Sequence, residues 1–403
     1  MQNLGSRTVS ALRLASAAAC ALAVGCSPGP SSIAYPEADL KPPDLLAAGP
    51  TSSREVVLRF DEAVTPVPGS FSSEPGAALA PGAEGQSLRV GFAQAQSAGA
   101  DYSLVGEVDD LKGNRTRFLV RFTGWNDRAP PLRISEVCPC KNSSKTKPHR
   151  DFVELEALAD GNLGGEELSW ASSVKTERYR FPSAEVRRGD RVVLHLAPEG
   201  LPEERDETGP DLSASGGVDA TPSGRDFWCG TMALPDASGV VALAARPGAP
   251  PSDGLFYADD GKSGGLGKGD LADLASSLAA AGAWPLSGAS PAWEDGFPWG
   301  GATSRSICRS GAASGPSAWS ISAAGGQSPG LPGGATAAES SSRSSLVPAA
   351  VRKAADDQSS VEAEESTEVR SDSKAKKPKA YKSTVAKKKR AGAKRKKKSE
   401  AEP

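Results

Sequence analysis

The feature that most constrains the fold is a period-two rhythm running from Leu132 to Tyr257. Leu132-Arg-Ile-Ser-Glu-Val137 sets Leu132, Ile134 and, by the same alternation, Glu136 against Arg133, Ser135 and Val137. Asp151-Phe-Val-Glu-Leu-Glu156 sets Phe152 and Glu154 against Val153 and Leu155. Leu168-Ser-Trp170, Tyr179-Arg-Phe-Pro182, Gly189-Asp-Arg-Val-Val-Leu-His-Leu196, Gly239-Val-Val-Ala-Leu243 and Phe256-Tyr257 follow. Alternation of branched and aromatic residues suits a pleated strand and not a helix, whose faces repeat every 3.6 residues. Gly, Pro, Asn and Asp punctuate the runs, so the expected form is an antiparallel β-sandwich.

The order of these phrases resembles the lamin-tail domain, an immunoglobulin-like sandwich found in nuclear lamins and in many bacterial secreted proteins. The resemblance extends to the close of the region, Ser304-Arg-Ser-Ile-Cys-Arg309, Trp319 and Ser328-Pro-Gly330. Bacterial lamin-tail domains commonly close on an Arg-bearing strand, a Trp and Thr-Pro-Gly. The resemblance implies an interaction module spanning 130–334, with Glu136 and Glu154 at the family's acidic places. A sandwich needs fewer residues, and the surplus sits in two loops, Pro198 to Gly224 and Asp259 to Gly300. The second predicts a short helix with Asp270 as N-cap, a stripe of Leu271, Leu274 and Leu278, and Gly282 at its end.

Upstream, Glu55-Val-Val-Leu-Arg-Phe60, Ser87-Leu-Arg-Val-Gly-Phe92, Asp101-Tyr-Ser-Leu-Val105 and Thr116-Arg-Phe-Leu-Val-Arg-Phe122 predict a smaller β-domain over 51–125. Asp110-Leu-Lys-Gly-Asn114 supplies the turn before its last strand. The phrases LRFDEAV and DYSLVGEVDDLKGN resemble bacterial Ig-like domains of the SbsA or Big-5 type, which act as spacers or adhesion-associated repeats. The expected class is therefore all-β, two Ig-like sandwiches in series.

The remainder is not core. Gly and Pro number 44 and 32 and aromatic residues are 5% of the chain, which is too little apolar bulk for 403 packed residues. Residues 1–25 read as an address: Arg7 and Arg13 precede an Ala-rich run too short to span a bilayer permanently. Ala23-Val24-Gly25-Cys26 resembles the bacterial lipobox, which implies a lipidated (diacylglyceryl, palmitate-bearing) Cys26, and Ser27 rather than Asp at the next place is consistent with the outer membrane. Residues 26–50, rich in Ser, Pro and Ala, read as a flexible spacer. In an exported chain, Cys138, Cys140, Cys229 and Cys308 suggest two disulfides. A bond between Cys138 and Cys140 would be strained, so each is expected to reach Cys229 or Cys308. A four-thiolate zinc site is the rival, with poor spacing.

Catalytic options are few. Neither His149, in a Lys-rich loop, nor His195, on a strand face with Val193, sits in a recognisable catalytic signature, and no H-E-x-x-H or G-x-S-x-G is present. Gly261-Lys-Ser263 lacks the first glycine of a phosphate loop. Asp253, Asp259, Asp260 and Asp270 are a weak candidate set for calcium. Glu136 and Glu154 form a carboxylate pair only if a cleft exists. No catalytic residue, cofactor or metal is assigned.

From Ala335 onward the composition predicts disorder. Residues 1–373 carry a net −14 and the rest +12, so the near-neutral total of −2 hides a split. Lys387, Lys388, Lys389, Arg390, Lys394, Arg395, Lys396, Lys397 and Lys398 form the densest basic stretch. By charge it could bind a polyanion such as DNA, anionic lipid or acidic glycan, or fold back on the acidic segment 356–372. With Tyr381 its sole aromatic, any nucleic-acid binding would be independent of sequence. The expected whole is a lipid-anchored envelope protein that binds or scaffolds without catalysis, with polyanion binding or an accessory role beside a hydrolase as alternatives.

Overall fold

The computed structural model describes residues 40–140, 150–230, 233–302 and 304–331. Cys26, His149, most of the expected spacer and the basic segment from Lys374 lie outside the described residues. What is described is all-β apart from one α-helix and two short 3-10 turns.

The first sandwich contains β1 (Leu45–Ser52), β2 (Glu55–Phe60), β3 (Thr65–Pro66), β4 (Ser72–Glu74), β5 (Leu79–Glu84), β6 (Ser87–Phe92), β7 (Asp101–Asp109) and β8 (Arg115–Thr123). One sheet runs β1-β2-β6-β5; the other has β3 and β4 along one side of β7 and β8 on its other side. Alternation delivers Val56, Leu58, Phe60, Leu88, Val90 and Phe92 from one sheet onto Tyr102, Leu104, Val108, Phe118 and Val120 of the other. The expected turn forms: the Asp110 carboxylate accepts the Lys112 and Asn114 amides at 2.7 and 2.8 Å. Residues 45–50, expected as spacer, instead pair with β2. Their Leu-Leu-Ala-Ala-Gly-Pro sequence has no alternation because an edge strand needs backbone partners more than a buried face.

The second sandwich contains β9 (Leu132–Cys138), β10 (Phe152–Ala157), β11 (Gly161–Asn162), β12 (Glu167–Ala171), β13 (Thr176–Arg180), β14 (Glu185–Val186), β15 (Arg191–Leu196), β16 (Arg225–Cys229), β17 (Gly239–Ala244), β18 (Asp253–Ala258), α1 (Asp270–Ala280), β19 (Phe297–Pro298), β20 (Ile307–Arg309) and β21 (Trp319–Ile321). A six-stranded sheet, β16-β15-β10-β9-β20-β21, faces a five-stranded one, β13-β12-β17-β18-β19. Pairing is antiparallel except β15 with β16 and β18 with β19. Between the sheets lie Ile134, Val137, Leu155, Leu194, Phe227, Trp170 and Leu255.

Both sheets are covered on their outer faces as well, which explains the unbroken burial of β15 from Val192 to Leu196 and of β17 throughout. The helix lies over the five-stranded sheet: a Cβ added to Gly254 would sit 2.4 Å from Leu278 Cδ2. Its buried stripe is Leu271, Ala272, Ala275 and Leu278, with Leu274 partly buried. Gly269, not Asp270, is the N-cap, and Asp270 stands inside the first turn, where its negative charge suits the helix dipole.

The two sandwiches meet backbone to backbone. Gly99 holds a φ of +74°, and a Cβ there would lie 2.5 Å from the Gly165 nitrogen. Arg180 donates to Thr123 Oγ1 at 2.7 Å and pairs with Asp101 at 2.7 Å. Asn126 Nδ2 donates to the Asn162 and Gly164 carbonyls at 2.6 and 2.9 Å. Gly99→Ala should therefore cost about 1–3 kcal/mol through left-handed strain and collision. The check is a lower urea midpoint than wild type.

Candidate functional site

The ionisable and nucleophilic side chains of the second sandwich collect on the outer face of its six-stranded sheet, and a bulge puts them there. Glu154 pairs with Glu136 but Leu155 pairs with Ile134, so Ser135 is the extra residue on β9. Past it the faces exchange. Val137 turns into the core, while Glu136 leaves the side of Leu132 and Ile134 where strict alternation placed it. Glu136 and Cys138 thereby join Phe152, Glu154, Arg191, Val193, His195, Asp226 and Trp228 on the covered face.

Glu136 and Glu154 are almost fully buried, at 2% and 1% exposure. Three of their four oxygens are occupied by the end of the domain. Ser328 donates its amide to Glu136 Oε1 at 3.2 Å and its hydroxyl to Oε2 at 2.8 Å. The Gly330 amide donates to Glu154 Oε2 at 2.8 Å, and Ser135 and Arg191 donate to Oε1 at 2.5 and 3.2 Å. Burial, assisted by the neighbouring Glu136, outweighs Arg191 and pushes the Glu154 carboxyl up to about 8. Burial likewise raises Glu136, against the hydroxyls of Ser306 and Ser328. The Ser-Pro-Gly phrase thus serves to receive two buried carboxyls.

The other closing residues have equally physical roles. Arg309 on β20 donates to the Ile134 carbonyl at 2.6 Å and forks onto Asp253 of the opposite sheet at 2.7 and 2.6 Å. Asp253 also accepts the Ile134 amide at 2.7 Å, and the guanidinium stacks on Trp319, 4.4 Å from its centroid. One buried cation therefore fastens both sheets and the final strand.

His195 is buried with Asp226, its Nε2 2.8 Å from Oδ1, and lies against Trp228 at 4.2 Å between centroids. Asp226 Oδ2 accepts the Thr221 amide at 3.0 Å, so the pair anchors the loop that covers the sheet. Glu207 of that loop reaches back to accept the Asp226 amide at 2.8 Å.

No disulfide joins Cys138, Cys140, Cys229 or Cys308 among the described residues, so the long-range cross-links expected from the sequence do not form. Instead Cys138 and Cys140 lie side by side with sulfurs 2.8 Å apart. Cys229 packs in the core, and Cys308 lies beside Ser306, 3.5 Å away. The calcium set is not assembled, since Asp253 is committed to Arg309. No group of three or more His, Cys, Asp or Glu among the described residues is arranged to hold a metal.

A second candidate is the cleft at the junction, about 420 Å³, bordered by Arg121, Trp125, Gly164, Gly165 and Arg246. Arg246 stacks over Trp125 at 4.4 Å, leaving an aromatic plate and two cations beside open backbone.

Residues 130–330 match the family model described as "TP_1001_2nd: protein second domain". The match ends on Gly330, the residue whose amide closes on Glu154. An uncharacterized protein of Treponema pallidum (strain Nichols) is 34% identical over 148 residues. That alignment covers 36% of this chain and 36% of the relative, so this chain spans about a third of that protein's length. Among solved structures, the N-terminal part of the bacterial S-layer protein SbsC is 14% identical, covering 54% of this chain and 43% of that one, at a TM-score of 0.20. Dimeric latent PorU from Porphyromonas gingivalis is 7% identical, covering 54% and 20%, at 0.16. Scores this low carry no argument about shared fold or role.

Asp151, Asp226, Glu207 and Gln327 do not stand out in the sequence. Asp226 and Trp228 differ by two, the signature of one strand face, yet their strand follows a long polar loop and pairs in parallel, so no alternation announces it.

Proposed function

We propose that this chain is a lipid-anchored protein of the bacterial envelope whose two sandwiches form a non-catalytic binding and scaffold module. The observation that carries the reading is the occupation of Glu136 and Glu154. The best candidate carboxylate pair is filled by the chain's own Ser328 and Gly330, so its oxygens act as structural acceptors. His195 and Asp226 are spent in the same way on a covering loop. The resemblances to lamin-tail and Big-5-type domains favour interaction over turnover. The junction cleft, with Trp125 beneath Arg246, is the surface we assign to contact.

Two measurements test this. Cells fed labelled palmitate should label the wild-type chain, and Cys26→Ser should abolish the label; a labelled C26S chain would overturn the anchor. Pull-downs on peptidoglycan and on DNA should compare the mature chain, a version lacking 335–403, and Trp125→Ala. Retention that survives the deletion but falls at least about tenfold in W125A, roughly 1.4 kcal/mol, assigns binding to the sandwiches. Retention lost with 335–403, and steeply salt-dependent beforehand, assigns it to the Lys-rich segment instead.

A further inference from the structure

The geometry points to Cys138 and Cys140 as a redox pair that closes to an internal disulfide by exchange with an external disulfide and reopens with a thiol. This goes beyond the binding role and does not depend on it. The two residues are separated only by Pro139, so their Cα atoms are at most about 7 Å apart, within a disulfide's reach. Their sulfurs stand 2.8 Å apart. Unbonded carbon atoms prefer about 3.5–4.0 Å, so at this separation no other group stands between the two sulfurs.

Several groups hold the pair in place. Gln327 Nε2 lies 3.7 Å from Cys138 Sγ and 3.6 Å from Cys140 Sγ, presenting one amide donor to both. The Arg305 carbonyl is 3.7 Å from Cys138 Sγ. Cys140 bridges in parallel to Ala302, and its amide donates to the buried carboxyl of Asp151. Phe152 and Val193 pack around the sulfurs. A metal would hold two thiolates differently. Zinc–sulfur bonds of about 2.3 Å in a tetrahedral site put the sulfurs roughly 3.7 Å apart, and no third ligand is assembled among the described residues.

The two thiols are not equivalent. The hydrogen bond from Cys138, Gln327 and the nearby Arg150 hold Cys140 below an ordinary thiol against the cost of burial. Burial raises Cys138, assisted by Cys140 and Asp151. Cys140, past the end of β9 and 2% exposed where Cys138 is 0%, is the attacking sulfur and Cys138 the resolving one. Cys140 thiolate attacks one sulfur of R–S–S–R, forming Cys140–S–S–R and expelling RS⁻. That RS⁻ takes the Cys138 proton, and Cys138 attacks Cys140 Sγ and expels the second RS⁻, which is protonated from water as Cys140 began deprotonated. The sum is one protein dithiol and one external disulfide converted to one protein disulfide and two thiols.

The test uses the full chain, reduced, freed of reductant, and exposed to bis(2-hydroxyethyl) disulfide. It is then denatured in iodoacetamide and digested with trypsin. Both cysteines fall in one peptide, residues 134–141, between Arg133 and Lys141. We expect this peptide to appear unalkylated and lighter by two hydrogens than its reduced form, and to regain two alkyl groups after dithiothreitol. In Cys138→Ser the reaction should stop at a stable mixed disulfide on Cys140. A 134–141 peptide that stays doubly alkylated, or that carries the mercaptoethanol adduct in wild type without resolving, overturns the proposal. The wild-type result decides this even if C138S fails to fold.

Discussion

Arg309→Met should destabilise the second sandwich by about 3–5 kcal/mol, because the substitution leaves the Asp253 carboxylate buried without its cation. The side chain that vanishes makes contacts to β9 and β18 and stacks on β21, so its loss loosens both sheets at one stroke. The denaturant midpoint of the second sandwich should fall while the first remains near its wild-type value. Pairing the change with Asp253→Leu should recover much of the loss, since two apolar groups need no partner. A single-site loss under about 1 kcal/mol would show that the pair is solvated and that the sheets are fastened elsewhere.

The second large effect is on pH. Glu166 is 2% exposed, and its Oε1 has no hydrogen-bond partner. Burial alone pushes its carboxyl up to about 8. Asp151 is likewise pushed up to about 8, by burial and then by Cys140, and Glu154 joins them. For an acid raised on folding, the native state binds more protons than the unfolded one between the two pKa values. Its contribution is then fully present below the unfolded value near 4.5 and is lost as pH rises through about 8. Stability should therefore decline from pH 5 to pH 8. Glu166→Gln, which cannot ionise, should match wild type at pH 5 and exceed it by on the order of 3 kcal/mol at pH 8.5. Melting both chains across that range checks the claim; parallel curves would mean that Glu166 ionises freely in the folded chain.

Much of the architecture was legible because sandwiches write their faces in the sequence. Phe152 and Glu154 alternate against Val153 and Leu155 as expected, and Leu271 and Leu278 mark the helix face. What escaped was whatever a face pattern cannot encode. The Ser135 bulge shifts the phase within one strand and so sends Glu136 and Cys138 to the opposite side. Residues 45–50 pair along the edge with only Leu45 packed against the core. Strain across Pro139 points the sequence reading to distant cysteine partners, whereas the end of β9 and the bridge at Cys140 set the two sulfurs side by side. Arg309, Trp319 and Ser328-Pro-Gly330 were visible as a closing phrase, but their partners Asp253, Glu136 and Glu154 lie up to 192 residues upstream.

That distance has a consequence for the order in which the chain can be finished. A ribosome or a secretion channel releases residues from the N-terminal end, so β1 to β8 can complete their own core with everything they need already present. The second sandwich has two carboxyls waiting from its first hairpin; Glu154 Oε1 takes Ser135 and Arg191, but the Ser328 and Gly330 donors arrive only when residues 328–330 emerge. Until then the sheet face around Glu136 and Glu154 stays open to water. Residues 328–330 act as a stopper fitted after the vessel is shaped, so the last donors to Glu136 and Glu154 arrive only at the end of the domain's own synthesis.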